Sequence, residues 1–399
     1  MPTENQTLDV SRYANEAMAR LVSAPAAERF DWREVVERGI NAAREQSDAE
    51  GLVSMVQLLV QLLEGQGRFE DALEEIDHGL IFASASADAT MYMYGFKASI
   101  QSAMGGFAAA KESLGRAETR RAEASLEAQV RHRVFRKVAL WQSFEDEPSD
   151  SAEDLLQECA DHGFGRDRMF LLSWFVPYLA SLGDHRRARP WIREMRLEAQ
   201  RTESLWRLSD VLAFDTWDKF FGQSEFGREP GELDRRNALS VWHCEGVRLR
   251  DSVLRQDPAA TETSLHALLR ARRRLGSAAV GSIEQLERAA SLGSQALDDL
   301  GPGAPPEIIT MGSLGPILGE AEVIANRGSQ RAAAEWLERL VALLPAGVLS
   351  VMAWPVSVPR VLGLLALRTG NQRRARVALQ ESITWTASAG FAVEHALSR

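Results

Sequence analysis

The stretch LLEGQGRFEDAL, residues 62–73, decides the fold. Before it, large apolar residues recur at steps of three and four from Leu52 to Leu63, which places them on one face of a helix. After the glycines, a second helix carries apolar and small residues at the same spacing from Phe69 to Leu80. Because glycine adopts positive φ without steric cost, Gly67 allows the chain to reverse. The stretch therefore predicts two antiparallel helices joined by a short turn.

The same unit recurs along the chain. A glycine is followed by an aromatic or polar residue two positions later, alanine five later and a large apolar residue nine later. The copies are Gly67, Phe69, Ala72 and Ile76; Gly105, Phe107, Ala110 and Leu114; Gly183, His185, Ala188 and Ile192; Gly328, Ala333 and Leu337; Gly370, Ala375 and Leu379; with a weaker copy at Ala152, Leu156 and Cys159. The alanine lets two helices approach closely, and the large residue fills the groove against the next pair. No single pair buries its apolar face alone, so the pairs are expected to stack.

These units resemble tetratricopeptide (TPR) repeats. The stretch Leu364–Gly390 also resembles the C-terminal helical repeats of large bacterial regulators, including the MalT-like ATPase regulators and some multidomain nucleotide cyclases. The resemblance implies an all-α fold of antiparallel helix pairs stacked into a right-handed superhelical solenoid. It also implies a regulatory or scaffold role in a bacterial cell. Strand signals are scarce, which agrees with an all-α chain.

Two polar, glycine- and proline-rich stretches predict the domain organisation. The stretch 222–233 (GQSEFGREPGEL) predicts a loop or break between N-terminal repeats in residues 1–221 and C-terminal repeats in residues 234–399. The stretch 301–306 (GPGAPP) predicts a second connector. The two sets of repeats form either one continuous superhelix or two subdomains, and three or four repeats fit between Gly183 and Gly328.

Composition narrows the classes of partner and the compartment. The formal net charge is −10 and the isoelectric point about 5.4, which argues against a nucleic-acid partner. The 2 cysteines suit a reducing compartment, and the polar N-terminus has no signal-peptide pattern, so we expect a cytoplasmic protein. Prolines interrupt the uncharged run between Arg339 and Arg360, which predicts a buried helix junction and no membrane span.

No catalytic or cofactor motif stands out. The chain has no phosphate loop, no GxGxxG after a strand, no HExxH, no CxxC and no GxSxG, so we predict no cofactor and no metal. Cys159 and His162 lie one helical turn apart but have no matching second pair of ligands. An enzyme built on the helical scaffold would draw on ionisable residues near the chain's centre: His185, Asp215, Asp218, His243, Cys244 and Glu245.

The centre of the chain is rich in aromatic residues between Trp174 and Trp242. Aromatic residues at helical spacing are typical of a core. The alternative is the wall of a concave surface or pocket, with Asp215, Asp218 and Lys219 as polar contacts. On that alternative, the candidate ligand- or partner-binding residues are Trp174, Tyr178, Trp206, Asp215, Trp217, Asp218, Phe221, Trp242 and His243.

Three functions compete on these grounds. The leading one is a binding module that holds a protein or peptide partner in a concave groove, with a basic partner favoured by the acidic N-terminal third. The second is a regulator that senses a small molecule or peptide in the aromatic centre. The third is an enzyme that uses the helical scaffold. The apolar last unit, with Trp385 and Phe391, also predicts docking on another copy, on a partner or under a capping helix.

Overall fold

A computed structural model describes residues 9–10, 12–14, 16–17, 32–65, 68–147, 150–201, 205–222, 238–275, 280–291, 303–345 and 347–399. Throughout these residues the regular structure is helical, and none of them lies in a β-strand. The prediction of an all-α chain is therefore confirmed.

Within the described residues of the first half, ten α-helices have both ends described: α1 (Trp32–Gln46), α2 (Ala49–Gly65), α3 (Phe69–Ala83), α4 (Ala87–Ala103), α5 (Phe107–Glu118), α6 (Leu126–Gln142), α7 (Ala152–Asp161), α8 (Gly165–Ser181), α9 (His185–Arg201) and α10 (Leu205–Gly222). A 3-10 turn (Arg121–Glu123) lies between α5 and α6. In the second half, eight α-helices lie fully within the described residues: α11 (Ala238–Arg255), α12 (Pro258–Leu275), α13 (Ile283–Ala290), α14 (Leu314–Arg327), α15 (Gln330–Leu343), α16 (Val358–Arg368), α17 (Gln372–Ala389) and α18 (Ala392–Ser398).

From α2 to α10 the helices pack in pairs with a regular set of neighbours. The pairs are α2–α3, α4–α5, α6–α7 and α8–α9, and α10 follows them. Within a pair the two helices contact each other, and both of them contact the first helix of the next pair. The same three-way contacts join α11 to α13 and α14 to α16. Each pair thus buries its apolar faces against its neighbours.

The glycine-centred signature marks the second helices of these pairs. Copies of it fall on α3, α5, α7, α9, α15 and α17, and their alanines are buried. Gly105, Gly183 and Gly370 have positive φ at the helix-to-helix turns, as expected for glycine there. Gly328 differs, because it ends α14 with φ −69° and an extended ψ, and glycine is favoured there by space: a Cβ atom would lie 2.7 Å from Ile324 O.

The second half of the chain closes over the ends of the first-half helices. The N–H of Met311 donates to Gln142 O at the end of α6, and the N–H of Leu349 donates to Ser181 O at the end of α8. Ser350 Oγ donates to Ala180 O. Since the last carbonyls of a helix have no partner within it, these contacts satisfy groups that would otherwise need water. Helix α12 also contacts α2, so the two halves meet at more than one place.

The apolar C-terminal unit packs on its own chain. Phe391 is buried, and the ring nitrogen of Trp385 lies 3.4 Å from the carbonyl oxygen of Gly183. A Cβ atom at Gly183 would meet that indole at 2.3 Å, so the glycine also makes room for Trp385. Helix α18 thus belongs to a unit that packs on its own chain, and docking of this unit on another copy or on a partner stays a prediction.

Four buried charges fix α18 in place. Arg250 of α11 and Arg360 of α16 alternate with Glu322 of α14 and Glu394 of α18, and each side chain is at most 4% exposed. Arg360 bonds Glu394 at 2.9 Å and Arg250 bonds Glu322 at 2.7 Å. Because isolated charges are costly in a core, the four groups specify how these helices meet.

The uncharged run between Arg339 and Arg360 contains the end of α15 and the connection to α16, and the later part of that connection is buried. Helix α15 ends at Leu343, and the segment Val351–Ser357 is non-helical and buried. Over the described residues, no helix is both long and apolar enough to cross a membrane.

The two predicted boundaries lie largely outside the described residues. Of the predicted break, residues 223–233 are not described, and of the predicted connector, residues 301–302 are not described. The following residues 303–306 are described and non-helical, in agreement with a connector. One contiguous apolar core extends from Val130 to Phe391 and so includes residues from both sides of the predicted break.

Two helical glycines give a matched test of the packing. Gly246 of α11 faces the 349–357 segment, and a Cβ atom there would lie 1.9 Å from Ala353 O, whereas a Cβ at Gly115 of α5 would meet nothing within 4 Å. We expect Gly246→Ala to lower the free energy of unfolding by about 1–3 kcal/mol or more, since backbone must move. Gly115→Ala should raise it by up to about 1 kcal/mol through helix propensity. Urea denaturation of both variants measures the difference, and equal effects would refute the packing of α11.

Candidate functional site

The aromatic residues predicted as a binding wall are mostly packed inside the protein. Trp217 and Trp242 are 0% exposed. Tyr178 is buried and stacks on Trp141 with ring centroids 5.1 Å apart, and Trp174 is half-buried against the same core. Trp206 and Phe221 belong to α10, but their side chains lie outside the described residues. In this conformation Trp217 and Trp242 do not reach the surface.

The predicted polar residues of this region are engaged in ion pairs. Asp215 pairs with Arg196, and Asp218 pairs with Arg189 at 3.0 Å. His185 lies between the ring of Trp217, stacked at 4.0 Å, and the edge-on ring of Phe391 at the same distance. Its Nδ1 is 3.6 Å from Asp218, and burial lowers the pKa of its imidazole. The structure thus brings His185, Trp217 and Asp218 together as a junction between α9, α10 and the C-terminal unit.

The consecutive residues His243, Cys244 and Glu245 have separate environments. Burial lowers the pKa of His243 to about 4, so its ring is neutral at pH 7. Cys244 Sγ lies 3.6 Å from Thr216 Oγ1, and burial raises the pKa of its thiol. Glu245 pairs with Arg248 at 2.6 Å. A thiol with a raised pKa is a poor nucleophile, so nothing in this arrangement activates Cys244.

Cys159 and His162 also have separate environments. Cys159 is 0% exposed, and burial raises its pKa to about 12. His162 ends α7, and its ring stacks on Phe164. Over the described residues, no three His, Cys, Asp or Glu side chains are arranged to hold a metal ion.

A polar concavity lies along α6, and we call it the α6 groove. It has a volume of about 370 Å³ and is open to solvent. Its lining comes from α4, the end of α5, the 3-10 turn, α6 and the loop before α7: Met91, Glu118, Arg121, Gln129, His132, Arg133, Arg136, Asp146, Glu147 and Asp150. Three arginines and four carboxylates therefore converge on one site.

Helical spacing explains the wall that α6 provides. Gln129, His132, Arg133 and Arg136 are three or four residues apart and share one face. The other side of α6, with Val130, Val134 and Val138, is buried in the core. Ser125 begins the helix by accepting a hydrogen bond from the N–H of Ala128.

A buried lysine holds the loop that forms the opposite wall. Lys137 is 1% exposed, and its Nζ donates to Asp146 Oδ1 at 2.6 Å and to Glu147 O at 2.8 Å. The indole of Trp141 also donates to Asp146, at 3.4 Å. The acidic residues of the loop are thereby fixed against α6.

The arginines of the groove differ in how fully they are engaged. Arg133 donates from Nε and Nη2 to Asp150 and from Nη1 to Glu158, which raises its pKa. Arg136 donates from Nη2 to Glu147, and Arg121 donates from Nη1 to Glu118. The hydrogen bond from Arg121 lowers the pKa of Glu118. Arg133 of α6 thus connects the loop before α7, through Asp150, to α7 itself, through Glu158.

His132 lies at the floor of the groove and is 3% exposed. Its Nε2 is 3.3 Å from Glu118 Oε2, but within the described part of the chain neither ring nitrogen makes an aligned hydrogen bond. Burial lowers its pKa, so the neutral ring offers one N–H donor and one acceptor. Buried polar atoms are usually hydrogen-bonded, and for His132 the nearest carboxylate is that of Glu118.

A second, more apolar concavity of about 640 Å³ lies on α17. It is lined by Leu349, Arg376, Val377, Gln380, Glu381, Thr384 and Trp385. It carries two oppositely charged side chains and no buried polar group, so it offers fewer specific contacts than the α6 groove.

The sequence analysis did not single out the α6 groove. The available signal was a basic helix, RHRVFRK at 131–137, followed closely by an acidic loop, EDEPSD at 145–150. Comparisons of the chain with family models, curated proteins and solved structures gave no match.

Proposed function

We propose that this chain is a TPR-like binding module that holds an extended peptide segment of a partner protein in the α6 groove, without catalytic activity of its own. The observation that carries the proposal is the convergence of three arginines, four carboxylates and a buried histidine on one open groove. Peptide segments carry charged side chains and main-chain polar groups, which such a surface can match.

The packing of the helices supports the TPR-like part of this proposal. First helices that contact one another and second helices that bridge successive pairs are what a stacked helix-pair superhelix requires. The two free, buried cysteines suit the reducing cytoplasm, where we place the protein.

The described ionisable groups favour binding over catalysis. Asp215 and Asp218 are held by arginines, and His243 and Cys244 have pKa values shifted away from reactive forms. In the ligand-sensing alternative, Trp217 and Trp242 could contact a ligand only if they became exposed, since both are 0% exposed here.

Selection from a displayed library of random peptides against the immobilised full-length protein tests the proposal. We expect the selected peptides to share a motif and to lose roughly tenfold or more in affinity for the Arg136→Ala variant. Arg331→Ala is the matched control, because Arg331 is highly exposed on α15 and pairs only with nearby Glu335 among the described residues. A library without enrichment, or peptides that bind both variants equally, would overturn the proposal.

A further inference from the structure

Helix α17 begins with a basic face that no described carboxylate balances. Arg373, Arg374 and Arg376 lie in its first two turns, and its first turn has no acidic residue. All three side chains are exposed, and none makes an ion pair with a described residue. Because the first turn of a helix carries a partial positive charge, arginines there are repelled unless an anionic group lies nearby. The start of α17 therefore favours an acidic partner.

The concavity on α17 continues this face toward the C-terminal end of the helix. Arg376 and Val377 line it near the arginines, and Leu349 and Trp385 line it farther along. Val377 is 64% exposed, although it is aliphatic. A partner that fits this surface has acidic groups at one end and an apolar group roughly three helical turns farther along.

Helix α3 of the same chain has that arrangement on its outer side. Glu70, Glu74, His78 and Ile81 follow one another at steps of three or four residues, so they share one face, and all four are exposed. Neither glutamate makes an ion pair with a described residue. Ile81 is 69% exposed and follows Glu70 by about three turns.

The equal spacing of the two helices sets one orientation. When α3 lies parallel to α17 and Ile81 reaches the apolar end of the concavity, Glu74 lies beside Arg376. His78 then lies level with Glu381, which is the one carboxylate among the lining residues. The reverse orientation would place Ile81 beside the arginines and the glutamates of α3 near Glu381, where like charges repel.

We infer that α17 binds the outer face of α3 of a second copy of this chain. The distribution of charge along the sequence agrees with this contact. Residues 358–399 carry six arginines and two glutamates, whereas in residues 1–100 acidic side chains outnumber basic ones by 17 to 8. Opposite charges on two parts of one chain favour contact between the N-terminal part of one copy and the C-terminal part of the next.

The contact joins two different surfaces, so each copy in a pair keeps one α3 face and one α17 face for further contacts. Such an interface produces a ring if the rotation closes and an open filament if it does not. The contact does not involve the lining of the α6 groove, so it is independent of the proposed peptide binding.

Sedimentation velocity of the full-length protein over a wide concentration range measures this association. We expect the mean mass to rise with concentration and to fall as salt is added, because exposed charges are screened. A protein that stays monomeric at all concentrations and at low salt would overturn the inference.

Charge reversals identify the two faces. Arg376→Glu and Glu74→Arg should each weaken self-association roughly tenfold or more, and both positions are exposed, so folding should be unaffected. Arg331→Glu and Glu335→Arg are the matched controls, because they change the net charge equally on the exposed surface of α15. Association that is unchanged in the first two variants, or weakened as much in the controls, would contradict the contact.

The double variant Glu74→Arg/Arg376→Glu tests whether the two faces meet each other. Its exchanged charges are again opposite across the contact, so we expect association to return toward that of the parent protein. A double variant that associates no better than the single variants would mean that α3 and α17 do not face each other, and the inference would fail.

Discussion

The Glu394→Gln variant is expected to lose about 3–5 kcal/mol in free energy of unfolding. Glutamine has nearly the same shape, but it leaves Arg250 and Arg360 with Glu322 as their remaining carboxylate in the buried cluster. Glu394 is 0% exposed, so water cannot solvate the arginine charges that its carboxylate compensates. Glu394 also accepts from the N–H of Ser357, which ties α18 to the start of α16.

Urea denaturation followed by circular dichroism measures this loss. Glu335→Gln is the matched control, because its ion pair with Arg331 is exposed and contributes about 0–1 kcal/mol. A Glu394→Gln variant within about 0.5 kcal/mol of the parent protein, the range of an ordinary surface change, would mean that the buried charges do not hold α18.

The Trp217→Ala variant is expected to lose about 3–5 kcal/mol of stability, as large-to-small changes in a core do. Trp217 is 0% exposed and stacks on His185, which in turn contacts Phe391. Removing the indole therefore opens a cavity where α9, α10 and the C-terminal unit meet.

Thermal and chemical denaturation of the variant test this role. Leu197→Ala is the control, since Leu197 is 68% exposed and its truncation should change stability by no more than about 0.5 kcal/mol. A fully stable Trp217→Ala protein with reduced peptide affinity would contradict the core assignment and favour the predicted aromatic binding wall.

The local fold was predictable because its causes are local. Glycine at a turn, alanine five residues later and an apolar residue beyond it depend only on how two adjacent helices approach, so Gly105, Ala110 and Leu114 located α5 correctly. Gly328 fits the pattern for another reason, because its φ is negative and glycine there avoids a clash between a Cβ atom and Ile324 O.

The closure of the chain was not predictable in the same way. Trp385 meets Gly183, and Ser350 meets Ala180, across more than a hundred residues of sequence. A repeat pattern reports contacts between neighbouring helix pairs. It does not show that a later segment of the chain will pack on the end of a distant helix.

The candidate site was missed for a related reason. The sequence analysis chose aromatic residues as the candidate binding residues. Two of them, Trp217 and Trp242, are buried in the apolar core. The groove depends on Arg133 and Asp150, which are brought together by the loop after α6 and by the buried Lys137. Lysine is seldom buried, so its role as an anchor was not expected from its type.

Hydrogen exchange with mass spectrometry, in the presence and absence of the tightest selected peptide, tests the central claim most directly. The account predicts slower exchange on binding in residues 118–147, which include the lining of the α6 groove from α5, the 3-10 turn, α6 and the start of the following loop. Slower exchange confined to residues 372–385 of α17, or to α8 and α10 in the aromatic centre, would contradict it.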